Sequence, residues 1–237
     1  MKPLKKERFR LCVSTFGSKV NFLKDSVVKA IESGADLVEV RLDYLEDLDT
    51  RTISSALRPY MGKLVLTLRP HYEKGFFKGD EKERAEILKE LSQEGPAYVD
   101  IELRSPLSQD LSKELMEMGI TVIISWHDFK KTPETEELRR IANLAMKSGN
   151  VAKVVTMANS FSDSLKILPL YDMNTKDRLI AFCMGSEGTL SRFLSMMLGA
   201  PFMYVSLPGA PTAPGQPNIL EAKEIIRVLS SNYSGCR

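Results

Sequence analysis

The sequence predicts an α/β protein folded as a (β/α)8 TIM barrel, with residues 1–237 forming a single domain. Three observations carry this. Apolar strand-like runs alternate eight times with amphipathic helical stretches, and no linker or compositional break divides the 237 residues. Several strands also carry ionisable residues at every second position, on the face a barrel turns to its lumen. An open doubly wound sheet is the competing architecture, but no GxGxxG or Walker loop follows the first strand.

In order, the first strand is 9–15 (FRLCVST), followed by a helix near 20–33 that Gly34 stops. The second, 36–43 (DLVEVRLD), sets Val38, Val40 and Leu42 against Glu39, Arg41 and Asp43, before a helix near 50–60. The third, 63–69 (KLVLTLR), sets Leu64, Leu66 and Leu68 against Lys63, Val65, Thr67 and Arg69, before a helix near 80–93. The fourth, 97–103 (AYVDIEL), opposes Val99, Ile101 and Leu103 to Tyr98, Asp100 and Glu102; Gly119 ends its helix near 107–118. The fifth, 120–127 (ITVIISWH), opposes Val122, Ile124 and Trp126 to Ile123, Ser125 and His127. Pro133 opens the next helix, 134–148, and Gly149 follows it. The sixth strand is 151–157 (VAKVVTM), with a helix near 160–171, and the seventh is 178–184 (RLIAFCM), with a helix near 188–198. The eighth, 202–207 (FMYVSL), precedes a last helix at 218–232 that Pro217 opens.

Apolar residues (43%) and charged ones (27%) are in ordinary globular proportion, and a net charge of +2 gives no field suited to nucleic acid. No apolar run reaches membrane-spanning length, and MKPLKKERF has four basic residues but no signal-peptide core, so it reads as a solvated leader. Cys12, Cys183 and Cys236 lie far apart without CxxC spacing, which predicts a reducing, cytoplasmic setting and no disulfide framework or zinc site. With only His71 and His127, a histidine-rich metal site is excluded.

The informative anomaly is Lys153, in the middle of a buried β-branched strand. Burial strips water from an ammonium and favours the neutral amine, the form that condenses with carbonyl substrates. The blander alternative is a salt bridge to Asp100 or Glu102, or a side chain that snorkels from an edge strand. Ionisable side chains on the inner face of strands two to six are costly to bury without a ligand, although Asp43 with an arginine fits a structural pair. Ser14, His127 and Met184 occupy the C-terminal ends of strands one, five and seven, where barrel enzymes work.

The strings EVRLD (39–43), LTLRP (66–70), WHDF (126–129), AKVVTM (152–157), MGSEGTLSR (184–192) and TAPGQ (212–216) resemble, in order, type I 3-dehydroquinate dehydratase. Length and short N-terminus resemble the stand-alone prokaryotic form. The resemblance implies a cofactor-free, metal-free lyase of the shikimate pathway. It converts 3-dehydroquinate to 3-dehydroshikimate through an imine on Lys153, with syn elimination of water. It implies His127 as general acid/base and Glu73 as the glutamate that orients it, although the family usually shows Glu-Gly-Gly where this chain reads Glu73-Lys74-Gly75. Arg192 would clamp the substrate carboxylate, and Glu39, Arg41 and Arg69 would hold ring hydroxyls. Ser14, Met184 and Tyr204 would line the pocket, with Thr212 and Gln216 on a Pro- and Gly-rich lid loop. His71 reads as an exposed loop residue. Family members are commonly homodimers. The runner-up is a class I Schiff-base aldolase, against which Glu187 stands in the only candidate phosphate loop; a barrel that binds a small acid without catalysis is the third reading.

Overall fold

The computed structural model describes residues 9–233; the basic stretch before Phe9 and Cys236 lie outside them. Eight strands, β1 (Leu11–Thr15), β2 (Leu37–Arg41), β3 (Leu64–Thr67), β4 (Tyr98–Glu102), β5 (Val122–His127), β6 (Val151–Met157), β7 (Leu179–Met184) and β8 (Met203–Ser206), form one parallel sheet. Its order is β7-β6-β5-β4-β3-β2-β1-β8, so the sheet curls into a nearly closed barrel whose seam lies between β7 and β8.

The helices α1 (Val20–Glu32), α2 (Thr50–Leu57), α3 (Glu81–Ser92), α4 (Ser108–Glu117), α5 (Thr135–Ser148), α6 (Phe161–Ile167), α7 (Thr189–Met197) and α8 (Ile219–Tyr233) follow the strands in turn. Local chemistry starts several of them. Asp49 accepts from the amide of Thr52 at α2, Asp80 from Lys82 and Glu83 at α3, and Ser160 with Asp163 makes a capping box at α6. Two predicted helices are shorter than their sequence pattern because 3-10 turns finish them, 58–63 around Pro59 and 168–170 around Pro169. None of the described helices is long and apolar enough to cross a membrane.

Strand alternation divides the interior into two apolar bodies. Val38, Val40, Leu64, Leu66, Val99, Ile101, Val122, Ile124, Ala152 and Val154 face the helices and form the large outer core. Cys12, Leu37, Val65, Ile123, Val151, Ile180 and Phe202 face inward and plug the barrel, with Val155, Phe182, Met184 and Tyr204 above them. The ionisable residues of β2 to β6 come after this plug in their strands, which puts them at the C-terminal mouth.

Candidate active site

A cavity of about 300 Å³ opens at that mouth. The strand register sets its central members side by side: Lys153 is paired in the ladder with Ser125, Ser125 with Glu102, and Thr67 with Asp100. Lys153, 4% exposed, is ion-paired there. Its Nζ lies 3.0 Å from Asp100 Oδ2 and 3.5 Å from Glu39 Oε1, and 4.1 Å from the centroid of the Tyr204 ring. Of the two partners the strand pattern offered, Asp100 is the one that reaches the lysine. Glu102 goes instead to Arg69, at 2.7 Å, and to Arg84 of α3. The isolated amine that strand burial suggests is therefore met by two carboxylates.

Those carboxylates are ionised at neutral pH. Burial works against the charge of Glu39, but Lys153 and Arg41 outweigh it and hold its carboxyl low. The same contest at Asp100 is settled by Arg69, 3.2 Å away, and Lys153, with Ser125 Oγ donating at 2.6 Å.

His127 ends β5, buried, with Nδ1 3.1 Å from Glu73 Oε2. Burial and the positive charges of Arg69 and Lys153 pull its basicity down to about 4, against the raising influence of Glu73. At neutral pH the ring is uncharged. The Glu73 carboxyl is held low by that hydrogen bond and by Arg69 and Arg104, over the opposing effect of burial. A carboxylate only accepts, so Nδ1 carries the hydrogen and Nε2 keeps its lone pair. Arg104 donates to the other oxygen of Glu73 at 3.0 Å.

The loop bearing Glu73 is tied down by Asp43, which accepts from the amides of Phe76 at 3.1 Å and Arg69 at 3.4 Å. Asp43 also takes Arg41 bidentately at 2.8 and 2.7 Å, the arginine pair its sequence position suggests. Gly75 is required there, since a Cβ would lie 2.0 Å from Arg69 O. Lys74 is left-handed (φ 57°), a conformation that costs a residue with a Cβ roughly 1–2 kcal/mol. His71 is exposed.

Arg192 lies in α7, 1% exposed, so it is not the surface charge its helix position also allowed. Its guanidinium sits 4.3 Å from the Phe182 ring centroid and donates to Pro214 O at 3.3 Å. Its Nε has no hydrogen-bond partner among the described residues, and desolvation lowers its basicity to about 9. Arg69, Arg84 and Lys153 are buried against carboxylates; Arg192 is buried against none among the described residues.

The loop after β8 is docked on the mouth. Pro214 O accepts from Gly185 N at 3.0 Å, and Thr189 Oγ1 donates to Gly215 O at 3.1 Å. Thr212 donates through N and Oγ1 to Gln216 Oε1 at 2.8 and 2.9 Å, while Gln216 Nε2 reaches Ser14 Oγ at 3.4 Å. The cavity thus gathers Ser14, Glu39, Arg41, Arg69, Glu73, His127, Lys153, Met184, Arg192, Tyr204, Thr212 and Gln216, every site residue that the sequence pointed to.

It also holds residues to which the sequence reading gave no site role: Tyr44, Phe129, Met157 and Phe182, and Lys74, noted there only as a departure from the family's Glu-Gly-Gly. Phe182 alternates with Ile180 and Met184, so period two applied to β7 finds it. Arg84 had a signal too, as an arginine at i in the stripe Leu88 and Leu91 at i+4 and i+7. No cluster of three or more His, Cys, Asp or Glu among the described residues is arranged to hold a metal.

The family model for type I 3-dehydroquinase matches residues 11–233. The chain is 38% identical over 87% of its length to the 3-dehydroquinate dehydratase of Thermococcus gammatolerans, covering 93% of that protein. Among solved structures, the 3-dehydroquinate dehydratase of Aquifex aeolicus superposes with a TM-score of 0.80 at 29% identity, over 93% of this chain and 98% of that one. That of Geobacillus kaustophilus, at 22% identity, shares the fold with a TM-score of 0.87 over 95% and 92% of the two chains. With the family match spanning all eight strands and their helices, this chain belongs to the type I 3-dehydroquinase family.

Proposed function

We propose that this chain is a 3-dehydroquinate dehydratase of the shikimate pathway, eliminating water with syn geometry through an imine on Lys153. The observation that carries the reading is a buried lysine in the same cavity as a buried arginine that meets no carboxylate among the described residues. The first is a buried nucleophile held between two carboxylates, and the second is a desolvated cation suited to an anionic ligand.

The substrate carboxylate docks on Arg192, whose fork matches two oxygens. Lys153 passes a proton to Nε2 of His127 and its amine adds to the ketone; His127 returns that proton to the carbinolamine hydroxyl, which leaves as water and leaves an iminium. That cation draws electrons from the neighbouring C–H bond. Nε2 of His127, with Nδ1–H held by Glu73, takes the proton and returns it to the departing hydroxyl, which leaves as water. Hydrolysis of the conjugated imine frees the product and the lysine. Glu39, Arg41 and Arg69 hold ring hydroxyls, Ser14, Met184 and Tyr204 shape the walls, and Thr212 and Gln216 cover the mouth. Free buried thiols at Cys12 and Cys183 suit a reducing compartment such as the cytoplasm.

The test is borohydride reduction during turnover of 3-dehydroquinate, followed by peptide mapping. A reduced adduct on Lys153 is the expected result; turnover with no adduct, or an adduct on another lysine, overturns the mechanism.

A further inference from the structure

His127 is held at one point. The contact with Glu73 fixes the position of Nδ1, and a single hydrogen bond constrains the plane of the ring less than its position. Phe129 is stacked on the imidazole, with ring centroids 5.5 Å apart and an interplanar angle of 12°. Phe129 is itself engaged by Lys74, whose Nζ lies 4.6 Å from its ring centroid. Lys74 is strained in a way its neighbours explain only in part. Gly75 has to be glycine for the turn to close, whereas at position 74 a glycine would relieve the left-handed backbone (φ 57°). Strain kept beside a site points to a use for the side chain. Its ammonium makes no ion pair with a carboxylate among the described residues, so the aromatic ring is what it serves.

We propose that Lys74 is a positioning residue, whose ammonium over Phe129 keeps that ring flat against His127 and so fixes the plane of the imidazole. This rests on His127 being the acid/base of the proposed reaction. A cation over an aromatic face is attracted by the ring quadrupole. Lys74 therefore orders Phe129, and Phe129 restricts the tilt that a single hydrogen bond permits.

The experiment compares Lys74→Gly, Lys74→Arg, Phe129→Leu and the Lys74→Gly/Phe129→Leu double variant in the full chain. Each is followed by steady-state kinetics with 3-dehydroquinate, thermal unfolding and the NMR signal of the His127 imidazole, in a His71→Gln background that leaves one histidine. Lys74→Gly should lower kcat about threefold to tenfold with KM little changed. Its unfolding midpoint should hold or rise, and Lys74→Arg should restore most of the rate. The imidazole signal should move in Lys74→Gly and Phe129→Leu alike, with no further movement in the double variant. An unmoved signal with unchanged kcat overturns the proposal, as do effects that simply add. Raised KM at intact kcat makes Lys74 a substrate contact and overturns it too. If the parent protein fails to turn over 3-dehydroquinate, the functional reading falls, and the imidazole signals still decide the role of Lys74.

Discussion

Glu73 Oε2 stands 3.1 Å from His127 Nδ1, across 54 residues of sequence, because the β3–α3 loop folds over the end of β5. The contact decides which ring nitrogen is free for chemistry. Glu73→Gln offers an amide that either accepts or donates, so the tautomer is no longer enforced. We expect kcat to fall by about a hundredfold, within what general acid–base catalysis supplies, with KM nearly constant. Unchanged kcat would remove Glu73 from the mechanism.

His127 gives a pH prediction with a definite sign. The free enzyme loses its base only as the imidazole is protonated near 4, so kcat/KM should stay flat between about pH 7 and pH 5. An acid limb centred near 6.5 would contradict the assignment. Between those values the unfolded chain binds a proton at His127 that the native state refuses. Stability should therefore fall as pH drops through this window, by about 3 kcal/mol at most. Glu39, Glu73 and Asp100, all held low in the fold, extend the loss to more acidic pH. Urea unfolding across the range measures it.

Lys153→Ala should abolish turnover and the borohydride adduct while leaving the far-UV circular dichroism intact. Asp100 keeps Arg69 at 3.2 Å, so one carboxylate stays paired, while Glu39 loses its ion pair with Lys153 and keeps the nearby charge of Arg41. A lowered unfolding midpoint is expected with the lost activity, and residual turnover would rule out the lysine as nucleophile.

Arg192→Met separates function from stability. A desolvated guanidinium with a free Nε contributes little to the empty protein, so the variant should unfold at the same temperature or higher. Product affinity, measured by calorimetry, should drop about tenfold to a hundredfold, the worth of charge-assisted hydrogen bonds. Unaltered affinity would refute the clamp.

Asp43→Ala removes one carboxylate that holds both Arg41 and two loop amides. We expect a loss of about 3 kcal/mol in chemical denaturation, as for other broken buried pairs. A raised KM should accompany it, since Arg41 and the loop carrying Glu73 are released together.

The strands were legible because β2 to β5 are binary patterned, and the inner faces they assign match the side-chain packing except at Lys63, which precedes β3 in a 3-10 turn and is exposed. Their ends were not. Asp43 belongs to a 3-10 turn and Arg69 lies past the last rung of β3, although both continue the pattern. Alternation reports which face a residue takes; ladder pairing depends on a neighbouring strand that local sequence does not record. At the site, Lys153, His127 and Arg192 were visible as charges in apolar or family-matched settings. Lys74 stood out only as a departure from Glu-Gly-Gly and Phe129 only within WHDF; the contact between them was not legible, because neither residue type signals it locally. The partner of Lys153 also required register: Asp100 and Glu102 share a face, and only their heights in the barrel decide which meets the amine.

The apolar plug beneath the charged mouth settles how the site communicates with bulk solvent. With Leu37, Val65, Ile123 and Phe202 sealing the base, no hydrated file runs through the barrel axis. Each proton exchanged and each water expelled must leave by the same doorway that admits the reactant, past Gln216 and Thr212.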